Sequence, residues 1–209
     1  MASGNKVAVV TGASGAVGAA IRARLAAEGF SVAGLDDESE GHRDVLAVDL
    51  TDRAKVKAAV DRITGELGEI SVLVTAPWHH DAAAFGEMTQ ERWQRLLMAH
   101  LGSTVNACAA VAPAMVRSGA GRIVTLSSWL ALAGVAGESY AAAATGSILA
   151  FNKSFAIEVA RYGLRVNCIA AGPLDLVQPS EIADTVAFLV TDGDFFVGEV
   201  FNAAAGAIV

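Results

Sequence analysis

The chain has 209 residues, enough for one domain with a sizeable buried core, and 54% of them are apolar. With only 18% charged residues it is no disordered chain, and 15 basic against 22 acidic residues, a net charge of −7, argue against a nucleic-acid partner gathered by charge. No apolar run reaches the roughly 20 residues of a membrane span, and the opening MASGNK is polar, so neither a membrane segment nor a secretory leader is expected.

The elements follow in chain order. Residues 7–11, VAVVT, form a β-branched run closed by Gly12, and Ala19–Glu28 continues as a helix with Ile21 and Leu25 four apart. Ser31–Leu35 reads as a second strand ending in Asp36, and Val45–Leu50 as a third. Thr51 is placed to cap a helix whose Val56, Val60, Ile63 and Leu67 make one apolar stripe. Val72–Val74 is a fourth strand, and residues 76–88 are irregular. A long helix runs from Thr89 toward Gly119, with Trp93, Leu96, Leu97 and Leu101 on its buried side. Ile123–Leu126 gives a fifth strand, residues 141–161 an Ala-rich helix, Leu164–Ala170 a sixth strand, Ser180–Val190 a helix and Val197–Phe201 a last strand. Strands alternating with helices predict an α/β chain: a single doubly wound Rossmann-type domain over residues 1–209, with a parallel seven-stranded sheet and helices on both faces.

The first strand opens on a small-residue turn, Thr11-Gly12-Ala13-Ser14-Gly15-Ala16-Val17-Gly18. Glycines let the backbone turn tightly and let a pyrophosphate sit on the next helix's N-terminus, where free N–H groups and the dipole favour an anion. Asp36 stands where a carboxylate accepts hydrogen bonds from an adenosine ribose and repels a 2′-phosphate. Candidate dinucleotide contacts are therefore Gly12, Ser14, Gly15, Val17 and Gly18 in the turn, with Asp36, Asp49 and Leu50 at the ends of the next strands. NAD fits this pattern better than NADP. The competing reading is a tight turn that kept its glycines for packing and binds nothing. Cys108 and Cys168 lack metal-ligand spacing, and adjacent His79 and His80 rarely share an ion, so no metal and two reduced thiols in a cytoplasmic protein are expected.

The glycine turn, GRIVTLSS with Tyr140 following, and ARYGLRVNCIAAGP at residues 160–173 together resemble the short-chain dehydrogenase/reductase family over nearly the whole chain. The resemblance implies NAD(P)-dependent oxidoreduction of an alcohol or carbonyl. It also implies a dimer or tetramer built on the two long helices, joining identical chains or pairing with a related one. In that family a Tyr hydroxyl exchanges a proton with the substrate oxygen, a Lys four residues on lowers its pKa, a Ser orients the substrate and an Asn on the long helix holds a relay water.

Carried over, Tyr140 takes the place of the Tyr and Ser128 that of the Ser, with Ser127 the alternative when counting back from Tyr140. Ala144 falls on the Lys and His100 on the Asn. Pro77 and Trp78 replace small residues beside the cleft, Leu176 replaces the Thr that would anchor a carboxamide, and the segment after residue 175 that would cover a substrate is nearly absent. A phenol with no cation beside it titrates near 10, so only about one in a thousand is ionised at pH 7. The candidate catalytic set is thus Ser128, Tyr140 and His100, and the expected redox chemistry is impaired or absent. The alternatives are a non-catalytic partner of an active relative, or cofactor-independent acid–base chemistry by Tyr140 and His100. Trp78 is expected to fill the space of the reactive ring.

Overall fold

A computed structural model describes residues 6–37 and 44–206. Seven parallel strands lie in the order β3-β2-β1-β4-β5-β6-β7: β1 Val7–Thr11, β2 Ser31–Asp36, β3 Val45–Ala47, β4 Ile70–Thr75, β5 Gly121–Ser128, β6 Leu164–Ala171 and β7 Val200–Ala203. Every residue of β1 is buried, as a strand covered on both faces requires, and its β-branched VAVVT suits that position.

Two apolar cores explain why the sheet needs helices on both sides. On one face, α1 (Ala16–Ala27) and α6 (Pro179–Thr191) bury Val17, Ile21, Leu25, Ile182, Val186 and Leu189 against Val10, Val74 and Val124. On the other, α2 (Arg53–Leu67), α4 (Ser103–Ser118) and α5 (Ser139–Ala160) bury Val56, Ile63, Val111, Met115 and Ala156 against Val9, Leu73 and Ile123. Full burial of each such Val, Leu, Ile or Met side chain contributes about 1.5–3 kcal/mol. The doubly wound parallel sheet expected from the strand–helix alternation is the observed fold.

Five local readings change. Asp52, not Thr51, caps α2, accepting hydrogen bonds from the N–H groups of Ala54 and Lys55; Thr51 is drawn to Asp49 instead. Strand β3 ends at Ala47, and β7 begins at Val200, three residues later than its apolar pattern suggests. The long helix starts at Thr89, which caps it, but it is α3 (Gln90–Leu97) joined to α4 by one wide π-turn, Met98–Gly102. Trp93 lies exposed on α3, while Leu96 is fully buried.

By length and composition Gln90–Ser118 is the one described helix long and apolar enough to cross a bilayer. Its apolar side is instead taken up by the sheet and α2, with Ala107, Cys108, Val111 and Met115 all buried in the core.

Sheet order reverses between β1 and β4, where a doubly wound sheet opens a crevice at the carboxyl ends of its strands. That topology brings the turn after β1, the segment after β4, the end of β5 and the segment after β6 to one place.

Candidate active site

A cleft of about 560 Å³ opens there. Its floor on one side is the turn between β1 and α1. Gly12 has φ +65°, and a Cβ on it would lie 2.0 Å from the Ala76 carbonyl oxygen. A Cβ on Gly18 would lie 2.0 Å from the Gly12 carbonyl oxygen, so helix and strand touch backbone to backbone. Gly15 differs, because nothing stands nearer than 3.6 Å to where its Cβ would be. It is the N-cap of α1, with no side chain capping the helix and no acidic residue in the first turn. The free N–H groups and positive dipole end at Ala16–Gly18 therefore face the cleft with no acidic side chain in the helix's first turn.

Beside the turn, Asp36 Oδ2 accepts a hydrogen bond from the Ser14 N–H at 2.7 Å and Oδ1 one from the Asp37 N–H at 2.8 Å. Asp37 in turn accepts from the Leu50 N–H at 3.0 Å. Asp49 is engaged by the Thr51 hydroxyl at 2.6 Å and N–H at 3.0 Å, with Lys55 at 3.5 Å. These bonds, the Thr51 hydroxyl first, hold its carboxyl below the usual carboxylate range. Of the eight dinucleotide candidates, Gly12, Gly15, Val17 and Gly18 line the cleft, whereas Ser14, Asp36, Asp49 and Leu50 are not among its lining residues. Asn106 of α4, which sequence reasoning passed over, fixes the segment after β3 by donating to the Leu50 and Thr51 carbonyls at 3.1 and 3.0 Å.

The opposite wall holds His100, the two serines at the end of β5 and the first turns of α5. His100 sits in the π-turn, a form that often marks functional sites, with 6% of its surface exposed. Its Nε2–H donates to the His79 carbonyl at 2.7 Å. Burial pushes its pKa below the usual value; the bond to His79 works the other way, while the charges of His79 and His80 add to the lowering. Both serines at the end of β5 line the cleft. The Ser127 hydroxyl donates to the Thr145 carbonyl at 2.9 Å, while Ser128 Oγ accepts from the Leu130 N–H at 3.2 Å and caps the short 3₁₀ turn Trp129–Ala131. Across the mouth, His80 Nε2 meets Glu138 at 3.0 Å.

Helix α5 presents Glu138, Ala141 and Thr145 to the cleft from its N-cap and first turns. Tyr140 is one residue away and about 100° around the helix, and it is not among the lining residues. Its ring stacks on Phe85, centroids 5.5 Å apart, and its hydroxyl donates to the Phe85 carbonyl at 3.1 Å. Ala144, 2% exposed, packs with Leu96 and Ala141. The structure thus brings Ser128 and His100 to the cleft and leaves Tyr140 on the outer loop contact. Trp78 does not fill the space expected of it: it lines the cleft from the rim, 69% exposed. Leu176 points outward and is absent from the lining. Among the described residues no His, Cys, Asp or Glu cluster has metal-site geometry.

A family model described as short chain dehydrogenase matches residues 6–183. The chain belongs to the short-chain dehydrogenase family. It is 30% identical over 235 aligned positions to the 3-oxoacyl-(acyl-carrier-protein) reductase FabG of Escherichia coli K12, covering 96% of each chain. It is 29% identical to the reductase of the same name from Salmonella typhimurium, again over 96% of both chains. To Nodulation protein G of Azospirillum brasilense it is 31% identical over 201 positions, covering 90% of this chain and 82% of the relative. NAD(P)-dependent oxidoreduction is the chemistry of the family, and the turn after β1 fits a dinucleotide: an uncapped helix N-terminus faces open space in front of Gly15, where an added Cβ would meet nothing closer than 3.6 Å.

Proposed function

We propose that this chain is a dinucleotide-binding short-chain dehydrogenase relative whose redox chemistry is strongly impaired. The observation that carries the reading is the composition of the cleft wall. Among its lining residues there is no Tyr, Lys or Arg, and the two positions of α5 that face it one helical turn apart are Ala141 and Thr145. Gly12, Gly15, Val17 and Gly18 would hold the pyrophosphate, and Asp36 and Asp49 would stand on the adenosine side. Asp36 favours a ribose hydroxyl over a phosphate, hence NAD over NADP. Such a cofactor, when bound, supplies or accepts hydride. This chain's part would be to orient the substrate with Ser128 and to exchange a proton through His100, without the phenol–ammonium pair that the family uses. General acid–base help is commonly worth about 10²–10⁴ in rate, which sets the scale of the deficit.

The relatives named as reductases act on a 3-oxoacyl group, and only the broad class, carbonyl or alcohol, is carried over here. Support for a reduced substrate cover comes from the short link between β6 and α6, residues 172–178, and from an alignment that runs over 235 positions against a chain of 209. An apolar groove of about 520 Å³ on α4 and α5, lined by Cys108, Ala109, Ala112, Pro113, Phe151 and Phe155, suits a second copy or a related chain.

Calorimetric titration with NAD, NADH and NADPH, followed by turnover of carbonyl substrates, tests the reading. Binding with NAD or NADH ahead of NADPH and turnover far below the common value of about 10 s⁻¹ are expected. No binding at millimolar dinucleotide, or turnover at ordinary rates, defeats it.

A further inference from the structure

Asn106 of α4 is buried, and its Nδ2 donates to two backbone carbonyls, that of Leu50 at 3.1 Å and that of Thr51 at 3.0 Å. Both carbonyls precede Asp52, the cap of α2, and the intrahelical bonds begin only at the carbonyl of the cap itself. The helix therefore offers them no N–H of its own. Of side chains this short only an amide carries two N–H groups; an ionised Asp has none to give, and Ser or Thr has one.

The bonds continue from Leu50. Its N–H donates to Asp37 Oδ1 at 3.0 Å, the Asp37 N–H to Asp36 Oδ1 at 2.8 Å, and the Ser14 N–H to Asp36 Oδ2 at 2.7 Å. The Val48 N–H joins the same strand ends by donating to the Asp36 carbonyl at 2.7 Å. Asn106 thus stands at one end of a hydrogen-bonded path whose other end is Ser14, next to Gly15 in the cleft floor. Each Asp36 carboxylate oxygen is held by one backbone N–H, which sets the plane of the group, and each can accept one bond more.

We propose that Asn106 is a positioning residue for the choice of dinucleotide: by fixing the segment after β3 it aims the Asp36 carboxylate, and with it the preference for a ribose hydroxyl over a 2′-phosphate. This rests on the reading of the chain as an NAD binder and assigns part of that selectivity to α4, none of whose residues lines the cleft. An apolar side chain at position 106 leaves two carbonyls without their donor, and the segment moves until water or another N–H serves them. Leu50 then shifts, Asp37 is released, and the Asp36 carboxylate turns. NAD loses an aimed acceptor, whereas NADP is relieved of an aimed repulsion.

The test is a calorimetric titration of the full chain with NAD and NADP, comparing the parent with Asn106→Leu. The preference for NAD, the ratio of the two dissociation constants, should fall about fivefold to tenfold in the variant, the scale of one hydrogen bond lost. A merely structural role would weaken both dinucleotides alike and leave that ratio where it was. In an Asp36→Ala background the same substitution should change the ratio by less than about twofold, because no carboxylate remains to be aimed. Asn106→Ala, which is smaller, carries the same expectations if the leucine variant does not fold. An unchanged ratio with NAD still bound, or a fall as large without Asp36 as with it, overturns the role of Asn106 alone. No binding of NAD to the parent chain, or NADP bound as tightly as NAD, overturns it together with the reading beneath it.

Discussion

The turn after β1 and the first turns of α5 face each other across one cleft, yet they hold their residues by different physics. In the turn the backbone itself makes the contacts: Gly12 against Ala76 and Gly18 against Gly12, each leaving 2.0 Å where a Cβ would have to go. Residue type there is dictated by the fold. In α5 the backbone is an ordinary helix that accepts almost any side chain, and only the cleft distinguishes Tyr140 from Ala141. A shift of one residue turns a side chain by about 100° at no cost to the helix. The turn is therefore tied to folding, whereas the cleft-facing positions of α5 are free to change.

The largest test of that contrast lies among the glycines. Gly12→Ala, at φ +65° with a carbonyl oxygen in its way, should cost at least about 3 kcal/mol in a urea titration or leave the chain unfolded. Gly18→Ala should follow it. Gly15→Ala, with nothing nearer than 3.6 Å, should stay within about 0.5 kcal/mol. Similar losses at all three would erase the distinction between the turn's packing glycines and its open one.

Next in size is lysine placed on α5. Ala144→Lys puts an ammonium among Leu96 and Ala141 and should destabilise by about 3 kcal/mol or more without creating carbonyl reduction. The pair Ala141→Tyr and Thr145→Lys puts both groups on the cleft face, and NADH-dependent reduction should rise at least tenfold above the parent chain. Activity from Ala144→Lys alone, with none from the pair, would show that α5 faces the cleft with Tyr140 after all.

This is also where the sequence ceased to be legible. The sheet, its helices and the glycine turn were readable because period-two and period-3.6 apolar patterns and glycine spacing register backbone demands directly. Tyr140 was readable as a motif residue but not as a facing one. Counting forward from β5 and backward from the helix disagreed by one residue at Ser127 and Ser128, and that disagreement was the one available signal of the rotation. Both serines turn out to line the cleft. The π-turn under His100 has no sequence mark, since MAHLG continues the helical pattern on either side. Nor does the pairing of His80 with Glu138, which depends on how the segment after β4 returns to α5.

A smaller effect should appear on acidification. His100 has a lowered pKa in the folded chain, so between that value and its ordinary 6.5 the unfolded chain binds the proton and the folded one does not. Stability is then full above about pH 6.5 and declines as pH falls through that window, by at most about 1.4 kcal/mol per pH unit for one proton. The carboxylates Asp49 and Asp81, also lowered, act only further down, below their ordinary 3.8. Urea midpoints from pH 7.5 to 5 should fall for the parent chain and flatten in His100→Gln. An equal slope in that variant would show that the window does not belong to His100.

The smallest expected effect is at the residue that family likeness ranks first. Tyr140→Phe removes one hydroxyl whose partner, the Phe85 carbonyl, belongs to an exposed residue that water can serve instead, and it leaves the ring stack in place. The cost should be near 0.5–1 kcal/mol, with dinucleotide affinity and any residual turnover unchanged within about twofold. In an enzyme that uses its phenol the same substitution removes the proton donor and should cut turnover by the full factor of about 10²–10⁴ that acid–base help supplies. The two outcomes are orders of magnitude apart, so a single rate comparison decides on which side of the helix the chemistry of this chain lies.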